Sequence, residues 1–436
     1  MVTPDWWTTR DEQQLADDAQ ALFNQHFGDG TCEGVWAAPG RVNLIGEHVD
    51  YAGGMSLPFA LPQNTAAAVG RRTDGVLRLV SVVPGTEGTQ DAPSTEIALA
   101  DIGPGNPAGW AGYAAGAVWA GLQDGVIPSC EGLDIALVSD VPLGAGLSSS
   151  AALECSVALA AYELATGHSP DSAALERLVT ACMRAENEVV GASTGGLDQR
   201  SSLYGRSGMA LAVDFLDGSV ELVPCDLAAA GLALLIMNTN AAHQLADGQY
   251  ASRRGVIDAV SAHLGVGTLG EILQDAAASS RLPDEVRAWS ATPQAHALLG
   301  GSDGGDTAQR RVRHVVEEIR RTRDEAVPAL RDAGASGEMG GLGELGELMN
   351  ASHASLRDLY EVTVPELDGA QEAALAAGAL GARMTGGGFG GSVIALVHRE
   401  QVEVVAEAVD AAARDRGFPA PTFFVAAPSD GARRIR

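Results

Sequence analysis

One stretch of the chain combines the residue types that bind phosphate. Residues 144–150, called the serine loop, read Gly-Ala-Gly-Leu-Ser-Ser-Ser and follow a β-like run at residues 133–139. Glycine lets the backbone approach a ligand closely, and the serines open an Ala/Leu-rich pattern that predicts a helix over residues 149–165. The N–H groups of a helix's first turn are unpaired and lie at the positive end of its dipole. The arrangement indicates a phosphate site, whereas the simpler alternative is a turn with one serine cap.

A second group of chemically active side chains lies near the start of the chain. Arg41, Glu47, His48 and Asp50 stand within ten residues among glycines, between two apolar runs. This density of charged and titratable groups indicates the wall of a polar pocket, and the alternative is a solvated loop with incidental charges.

Two further glycine-rich segments lie beyond the serine loop. Residues 386–391, called the C-terminal glycine loop, hold five glycines between two strand-like runs. No helix pattern follows, so they are not a dinucleotide fingerprint, and we expect the backbone there to approach another group closely rather than form a floppy turn. A loop is also predicted at residues 195–200, after a helix at 171–190 with Glu186 near its end. Asp198 in that loop could serve as a catalytic carboxylate or simply cap an Asx-turn.

The absence of lysine narrows the kind of phosphate site. All 28 basic residues of the chain are arginines, which excludes a Walker A loop and the protein-kinase fold, since both need a lysine. A nucleotide must therefore be held by backbone N–H groups, hydroxyls, arginine and a metal. The net charge of −28 argues against nucleic acids and anionic membranes as partners, and bound Mg²⁺ is the usual way to offset the charge of a nucleotide.

Length and composition indicate a two-domain cytoplasmic protein. The 436 residues exceed one ordinary hydrophobic core. Five cysteines without CxxC spacing are typical of reduced thiols. We see no signal-peptide pattern and no apolar run of membrane length, and we expect a monomer. Strand and helix patterns alternate: strands at residues 35–38, 133–139, 232–237 and 392–397, and helices at 149–165, 250–264, 307–333, 366–377 and 401–416.

The three glycine-rich motifs, in this order, resemble those of the GHMP small-molecule kinases. The N-terminal motif, residues 40–51 (Gly-Arg-Val-Asn-Leu-Ile-Gly-Glu-His-Val-Asp-Tyr), is similar to the galactokinase signature, and residues 310–323 and 352–368 are also similar to galactokinases. The resemblance spans nearly the whole chain. It implies an α/β (α+β) fold with a ribosomal S5-like N-terminal domain, residues 1–215, and a ferredoxin-like C-terminal domain, residues 216–436, with the active site between them.

The resemblance also implies a reaction and a set of roles. The reaction is transfer of the γ-phosphoryl group of ATP to the anomeric hydroxyl of D-galactose. Asp198 is implied as the catalytic base, and Arg41 as the group that stabilises charge on the phosphoryl oxygens. Ser150 and Glu186 are implied as Mg²⁺ ligands. The implied sugar contacts are Glu47, His48, Val49, Asp50, Gly195 and Tyr250, and the implied nucleotide contacts are Gly144, Ala145, Gly146, Leu147, Ser148, Ser149 and Ser150.

Three departures from the galactokinase pattern leave the choice of sugar open. Val49 stands where threonine is usual, Ala52 where asparagine is usual, and Arg200 where an aromatic residue is common. Another sugar, such as N-acetylgalactosamine or a pentose, is therefore an alternative substrate. A sensor that binds galactose and ATP without turnover is a second alternative, although Asp198, Arg41 and the serine run, which a sensor could lose, are all present.

Overall fold

The computed structural model describes residues 3–82, 92–241, 246–299, 304–336 and 340–436. The strands in these ranges are β1 (Asp5–Trp6), β2 (Gly34–Asn43), β3 (Met55–Ser56), β4 (Pro58–Arg71), β5 (Val76–Val82), β6 (Ser94–Ala98), β7 (Gly132–Ser139), β8 (Met209–Asp214), β9 (Val220–Pro224), β10 (Leu232–Asn238), β11 (Gly381–Thr385), β12 (Ser392–His398), β13 (Thr422–Ala426) and β14 (Arg433–Arg434).

The helices in the same ranges are α1 (Glu12–Phe27), α2 (Trp110–Gln123), α3 (Ser149–Thr166), α4 (Ser172–Arg184), α5 (Leu197–Tyr204), α6 (Ala246–Leu264), α7 (Leu269–Ile272), α8 (Ala276–Ser290), α9 (Pro293–Leu299), α10 (Gly304–Arg320), α11 (Val327–Ser336), α12 (Gly340–Ser355), α13 (Pro365–Ala376) and α14 (Val402–Arg416). π-Helical turns follow α4, α10 and α12, at Ala185–Val190, Arg321–Ala326 and Leu356–Tyr360. No helix in the described ranges is long and apolar enough to cross a membrane.

A six-stranded mixed sheet organises the first half of the chain. Its strand order is β14-β2-β4-β7-β5-β6, and only β5 and β7 run parallel. Helices α2, α3 and α4 cover one face of this sheet, and α1 packs on the other. Because both faces are covered, strand β7 is buried along its whole length and can be apolar without alternation.

A five-stranded sheet organises the second half. Its order is β1-β13-β10-β12-β11, with β10, β11 and β12 antiparallel to their neighbours. Helices α6, α8, α10, α13 and α14 contribute apolar side chains to one core against this sheet. The opposite face of the sheet is also buried, and it contributes to a core that both halves share.

This shared core joins the two sheets. Val42 and Val141 from the first half pack in one apolar cluster with Leu234, Ile394 and Phe424 from the second. All five side chains are at most 4% exposed, so separating the halves would expose them at a cost of roughly 1.5–3 kcal/mol per large side chain. The cleft between the halves therefore has a defined shape.

The two ends of the chain exchange between the sheets. Strand β1 pairs in parallel with β13 of the five-stranded sheet, and β14 pairs with β2 of the six-stranded sheet. The division at residues 215 and 216 stays a prediction. In spatial terms each half contains a short strand from the opposite end of the chain.

The sequence patterns located most elements that carry the motifs. The predicted helix at residues 149–165 is α3, and the predicted strand at 133–139 is β7. The prediction of a loop at residues 195–200 is wrong in part, because α5 begins at Leu197 and places Asp198 in its first turn. The strand predicted at residues 35–38 extends to Asn43, since its pairing with β4 continues past a bulge between Pro39 and Arg41.

Candidate active site

A polar cleft lies where the two halves meet. Its volume is about 110 Å³. The walls come from strand β2 and the segment after it, from the region of α4 and α5, from α6, and from the C-terminal glycine loop. The residues that line it are Arg41, Glu47, His48, Asp50, Glu186, Ser193, Thr194, Leu197, Asp198, Tyr250, Gly386 and Gly387.

Arg41 and Asp198 form an ion pair in this cleft. The guanidinium donates from Nε to Oδ1 of Asp198 at 2.8 Å, and its second terminal nitrogen lies 2.6 Å from the same oxygen. The remaining terminal nitrogen donates to the carbonyl of Gly146 at 2.6 Å. Arg41 is 5% exposed, whereas the Asp198 side chain is 23% exposed. One buried cation therefore links the carboxylate to the serine loop, while the carboxylate itself stays accessible from the cleft.

Glu47 holds the C-terminal glycine loop against the N-terminal motif. Its Oε1 accepts hydrogen bonds from the Gly386 N–H at 2.8 Å and from the Thr385 hydroxyl at 3.2 Å. The guanidinium of Arg383 lies 3.5 Å from the same oxygen. Glu47 is 3% exposed, and these donors compensate a buried charge.

The C-terminal glycine loop also packs on the serine loop. A Cβ on Gly386 would lie 2.7 Å from the carbonyl oxygen of Gly146, and Gly386 has a φ of +85°. The Ser392 hydroxyl donates to the carbonyl of Ala145 at 2.7 Å. The expectation that this loop's backbone approaches another group closely is therefore confirmed, and the neighbouring group is the backbone of the serine loop.

Asp50 and Tyr250 also line the cleft. Burial, together with the negative charge of Asp198, raises the pKa of Asp50 to about 6. Gly195 lies directly against this carboxylate, and a Cβ at that position would overlap it. Gly195 therefore leaves room for Asp50, although it is not among the lining residues. The Tyr250 ring packs 5.4 Å from the His48 ring.

The serine loop begins helix α3 in an unusual way. Ser148 has a left-handed backbone with φ of 60° and caps the helix without a side-chain hydrogen bond. Its hydroxyl is buried and has no hydrogen-bond partner among the described residues. Ser149 and Ser150 are partly exposed, Gly144 is exposed, and Ala145 and Leu147 are buried in the shared core. The alternative of an ordinary serine cap does not describe this geometry.

Glu186 lies beside the start of α3 in the π-helical turn after α4. Burial and the nearby charge of Asp198 raise its pKa to about 7, and hydrogen bonds from Gln199 and Ser150 act in the opposite direction. Gln199 Nε2 donates to Glu186 at 2.7 Å and to Glu154 at 3.1 Å. Glu154 is fully buried, and its Oε1 has no partner in the described part of the chain.

These oxygens fit a magnesium ion shared with phosphates. In the described ranges, no group of three or more His, Cys, Asp or Glu side chains is arranged to hold a metal. Mg²⁺ in nucleotide sites commonly uses one or two carboxylates together with phosphate oxygens and water. The Glu186 carboxylate and the adjacent Ser150 hydroxyl match that donor set. Burial makes the ionised form of Glu186 less stable, so a nearby cation would stabilise it.

One predicted sugar residue does not face the cleft. The Val49 side chain is fully buried in the apolar core of the second half. It lies beside Gly54, where an added Cβ would be 2.6 Å from the Val49 Cβ and 2.7 Å from Ile319. Ala52 is likewise buried in that core. The Val49 side chain therefore belongs to the apolar core, and the expectation that Val49 contacts the sugar stays a prediction.

No site role was predicted from the sequence for several residues of this region. Ser193, Thr194 and Leu197 line the cleft, as do Gly386 and Gly387 of the C-terminal glycine loop. Gln199 and Glu154 surround Glu186. The only available signal was position, since Glu154 lies one helical turn after Ser150 and Gln199 follows Asp198 directly. Their roles depend on contacts that join α3, α5 and the π-helical turn.

Three family models match successive parts of the chain. The galactokinase galactose-binding signature matches residues 21–71. The N-terminal domain of the GHMP kinases matches residues 112–206, and the C-terminal domain of the GHMP kinases matches residues 326–415. The three matches contain the N-terminal motif, the serine loop and the C-terminal glycine loop, respectively.

Individual relatives agree with these models. The chain is 43% identical to a galactokinase of Streptomyces coelicolor over 92% of this chain and 94% of the relative. It is 37% identical to a human galactokinase over 96% of both chains. The crystal structure of Lactococcus lactis galactokinase complexed with galactose superposes with a TM-score of 0.80 at 30% identity, covering 97% of this chain and all of that chain. The predicted two-domain α/β GHMP kinase fold is confirmed. With signature, sequence and structure in agreement, we conclude that this chain is an enzyme of the galactokinase family, within the GHMP kinases.

Proposed function

We propose that this chain transfers the γ-phosphoryl group of ATP to the anomeric hydroxyl of D-galactose, forming galactose 1-phosphate and ADP. The observation that carries the proposal is the position of Arg41, which joins the Asp198 carboxylate to the carbonyl of Gly146 in the serine loop. A proton acceptor and a phosphate-binding loop are thereby held on either side of one cation. Phosphoryl transfer needs this positioning and charge neutralisation more than covalent chemistry.

Asp198 is the proposed base. Its carboxylate takes the proton of the anomeric hydroxyl as that oxygen attacks the γ-phosphorus. The bond from the γ-phosphorus to the bridging oxygen breaks, and ADP leaves with the bonding electron pair. The position of Asp198 in the first turn of α5, with a partly exposed side chain, supports this role because the oxygen that is not bound to Arg41 can reach a bound hydroxyl.

Arg41 is proposed to serve both reactants. Its ion pair with Asp198 holds that carboxylate in a fixed direction before the sugar binds. Its position beside the serine loop also places positive charge where the γ-phosphoryl oxygens develop negative charge. A lysine has its three donors on a single nitrogen, so it would not bind both groups from the fixed, planar fork that arginine provides.

Galactose recognition is assigned to the part of the cleft that the N-terminal motif and Tyr250 form. Glu47, His48, Asp50 and Tyr250 line the cleft, and they offer both hydrogen-bond acceptors and donors to a polyol. Gly195 contributes by leaving space for the Asp50 carboxylate. The buried positions of Val49 and Ala52 support galactose over a larger sugar, since these two departures from the family pattern do not widen the cleft.

The nucleotide is assigned to the serine loop and the start of α3. Backbone N–H groups of this helix start and the hydroxyls of Ser148, Ser149 and Ser150 would bind the phosphates. Ser150 and Glu186 would hold Mg²⁺, which when bound neutralises phosphate charge and stabilises the leaving diphosphate.

We also propose that the protein works as a monomer in the cytoplasm. The five cysteines are free, which suits a reducing compartment. Light scattering after size exclusion tests the monomer, and a mass of two or more chains at working concentration contradicts it.

The proposed reaction is tested by a coupled ADP-release assay with ATP and Mg²⁺. The panel contains D-galactose, N-acetylgalactosamine, glucose, arabinose, homoserine and mevalonate. We expect a strong preference for galactose. Turnover of another sugar would keep the phosphoryl transfer and reassign the wall at Glu47–Asp50, and galactose binding without turnover of any compound would replace the kinase with a sensor.

A further inference from the structure

Two neighbouring residues of the N-terminal motif bind two neighbouring peptide groups of the C-terminal glycine loop. Glu47 accepts the N–H of Gly386 at 2.8 Å, and His48 Nε2 lies 3.2 Å from the carbonyl oxygen of Gly387. Gly386 packs on Gly146 of the serine loop, while Gly387 lines the cleft. The position of this loop therefore affects both the proposed sugar site and the proposed nucleotide site.

The contact with Gly387 determines which nitrogen of His48 carries the proton. A carbonyl oxygen can only accept, so Nε2 must be the protonated donor. Burial lowers the pKa of His48 to about 3. The nearby His314 acts in the same direction, whereas the hydrogen bond to the Gly387 carbonyl acts against it. The ring is therefore neutral near pH 7, and its Nδ1 carries a lone pair that needs a donor.

Tyr51 supplies that donor. Its hydroxyl lies 3.2 Å from Nδ1 of His48 and 2.6 Å from the hydroxyl of Tyr360. The single proton of Tyr51 is donated to His48, so its oxygen accepts the proton of Tyr360. The hydrogen bonds then run in one direction, from Tyr360 to Tyr51 to His48 to the carbonyl of Gly387.

The first member of this series of hydrogen bonds, Tyr360, is held rigidly by the second half of the protein. Tyr360 is fully buried, and its ring lies 4.8 Å from the ring of His48 and 4.5 Å from that of His314. Arg253 of α6 donates to the backbone carbonyl of Tyr360 at 3.2 Å. A side chain held on several sides has few rotamers to choose from, so its hydroxyl has a defined direction.

We infer that Tyr51 and Tyr360 are positioning residues, which fix the Nε2–H tautomer of His48 and thereby hold the C-terminal glycine loop in the position that both substrates require. This inference rests on the proposed function of the cleft. The tautomer itself is independent of that function, because it follows from contacts present without either substrate.

The first test is spectroscopic and uses the full-length protein without substrates. Histidine-selective ¹⁵N labelling with long-range ¹H–¹⁵N correlation reports the tautomer of each ring, and the His48 signals are assigned by their loss in His48→Gln. We expect wild-type His48 in the Nε2–H form. A wild-type protein with the Nδ1–H form overturns the inference, whether or not any variant folds and whether or not galactose is the substrate.

The second test uses three tyrosine variants. Tyr51→Phe removes the donor to Nδ1, so we expect mixed His48 tautomers and a fall in kcat/KM for both galactose and ATP on the order of tenfold, as for a buried acceptor left without its donor. Tyr360→Phe leaves the Tyr51 donor in place, so the tautomer should persist and the fall should be smaller. Tyr162→Phe, a buried tyrosine of α3 that packs edge-on against His168, is the matched control and should change neither property.

Each outcome decides between these expectations. A single Nε2–H tautomer in Tyr51→Phe overturns the positioning role whatever the kinetics. Mixed tautomers with unchanged kcat/KM for both substrates show that the glycine loop does not depend on His48, which also overturns it. Loss of the tautomer in Tyr360→Phe to the same degree as in Tyr51→Phe contradicts the proposed direction of the chain. The expected Nε2–H tautomer without galactose turnover would leave the series of hydrogen bonds intact and refute the proposed function.

Discussion

The guanidinium of Arg41 lies 2.6 Å from Oδ1 of Asp198, although 157 residues separate the two in the chain. Arg41 stands near the C-terminal end of strand β2, and Asp198 lies in the first turn of α5. The same guanidinium donates to the Gly146 carbonyl. Three segments of the chain therefore meet at one cation, which is the geometric basis for the predictions on catalysis.

Replacing Asp198 by asparagine should remove the base and keep the shape. We expect kcat to fall at least ~10²-fold, the usual lower contribution of a positioned general base, with little change in galactose affinity. Steady-state kinetics and calorimetric sugar binding measure the two effects. Asp217→Asn, in an exposed turn between β8 and β9, is the control and should match the wild type. Near-normal kcat in folded Asp198→Asn would show that another group takes the proton.

Gly386→Ala should weaken nucleotide binding. The new methyl would lie 2.7 Å from the Gly146 carbonyl oxygen, so it pushes the serine loop away from its phosphate-binding position. Left-handed backbone also costs an alanine about 1–2 kcal/mol, and we expect the KM for ATP to rise on the order of tenfold or more. Gly218→Ala separates the two causes, because Gly218 has a similar φ of +78° with no atom within 4 Å of the added methyl. An equal effect of both substitutions on the KM for ATP contradicts the prediction.

Asp50 should make galactose recognition sensitive to acid. Its pKa of about 6 means that it becomes protonated as the pH falls below 6, and it then loses acceptor capacity towards sugar hydroxyls. We expect kcat/KM for galactose to fall by up to about tenfold per pH unit below that point, since this ratio reports the free enzyme. In Asp50→Asn the ratio should be lower at pH 7 and lack this acid limb. An acid limb near pH 6 that persists unchanged in Asp50→Asn would assign it to another group.

Glu318 should contribute to stability in a way that depends on pH. It is fully buried in α10, where it accepts from the Gly46 N–H at 3.0 Å and from the Ser352 hydroxyl at 2.6 Å and pairs with Arg321. Burial alone would raise the pKa of Glu318, but the neighbouring cations hold it below its ordinary value. Its stabilisation is therefore present above the unfolded-state pKa of about 4.3 and is lost as the pH falls through the lower folded-state pKa.

The corresponding variant is Glu318→Gln. We expect it to lower the free energy of unfolding by about 3 kcal/mol at pH 7, because it leaves buried cations without their partner, and by progressively less as the pH falls below the unfolded-state pKa of about 4.3. Glu317→Gln is the matched control. Glu317 precedes Glu318 in the sequence and forms a surface ion pair with Arg313, so its replacement should change stability by less than about 1 kcal/mol. Urea unfolding at both pH values measures the difference. A deficit that stays constant down to pH 3 contradicts the assigned charge pairing.

Local patterns in the sequence were sufficient for several elements and for the chemistry. The glycines and serines of residues 144–150 predicted the helix start that became α3, because backbone freedom and capping act within a few residues. The glycines of residues 386–391 predicted a close backbone approach. The start of α5 at Leu197 was not predicted, because its register depends on packing against α3 and α4 rather than on a local signal.

The sequence by itself determined which functional groups are available: one cluster of Arg, Glu, His and Asp, a hydroxyl-rich helix start, two glycine loops, and no lysine. Tertiary structure alone decided how they meet. Tyr51 reaches Tyr360 across 309 residues, Glu47 reaches Gly386 across 339, and Val49 turns away into the core. The physical reason is that side-chain chemistry and backbone propensity are local properties, whereas these contacts are set by the apolar core that the two sheets share.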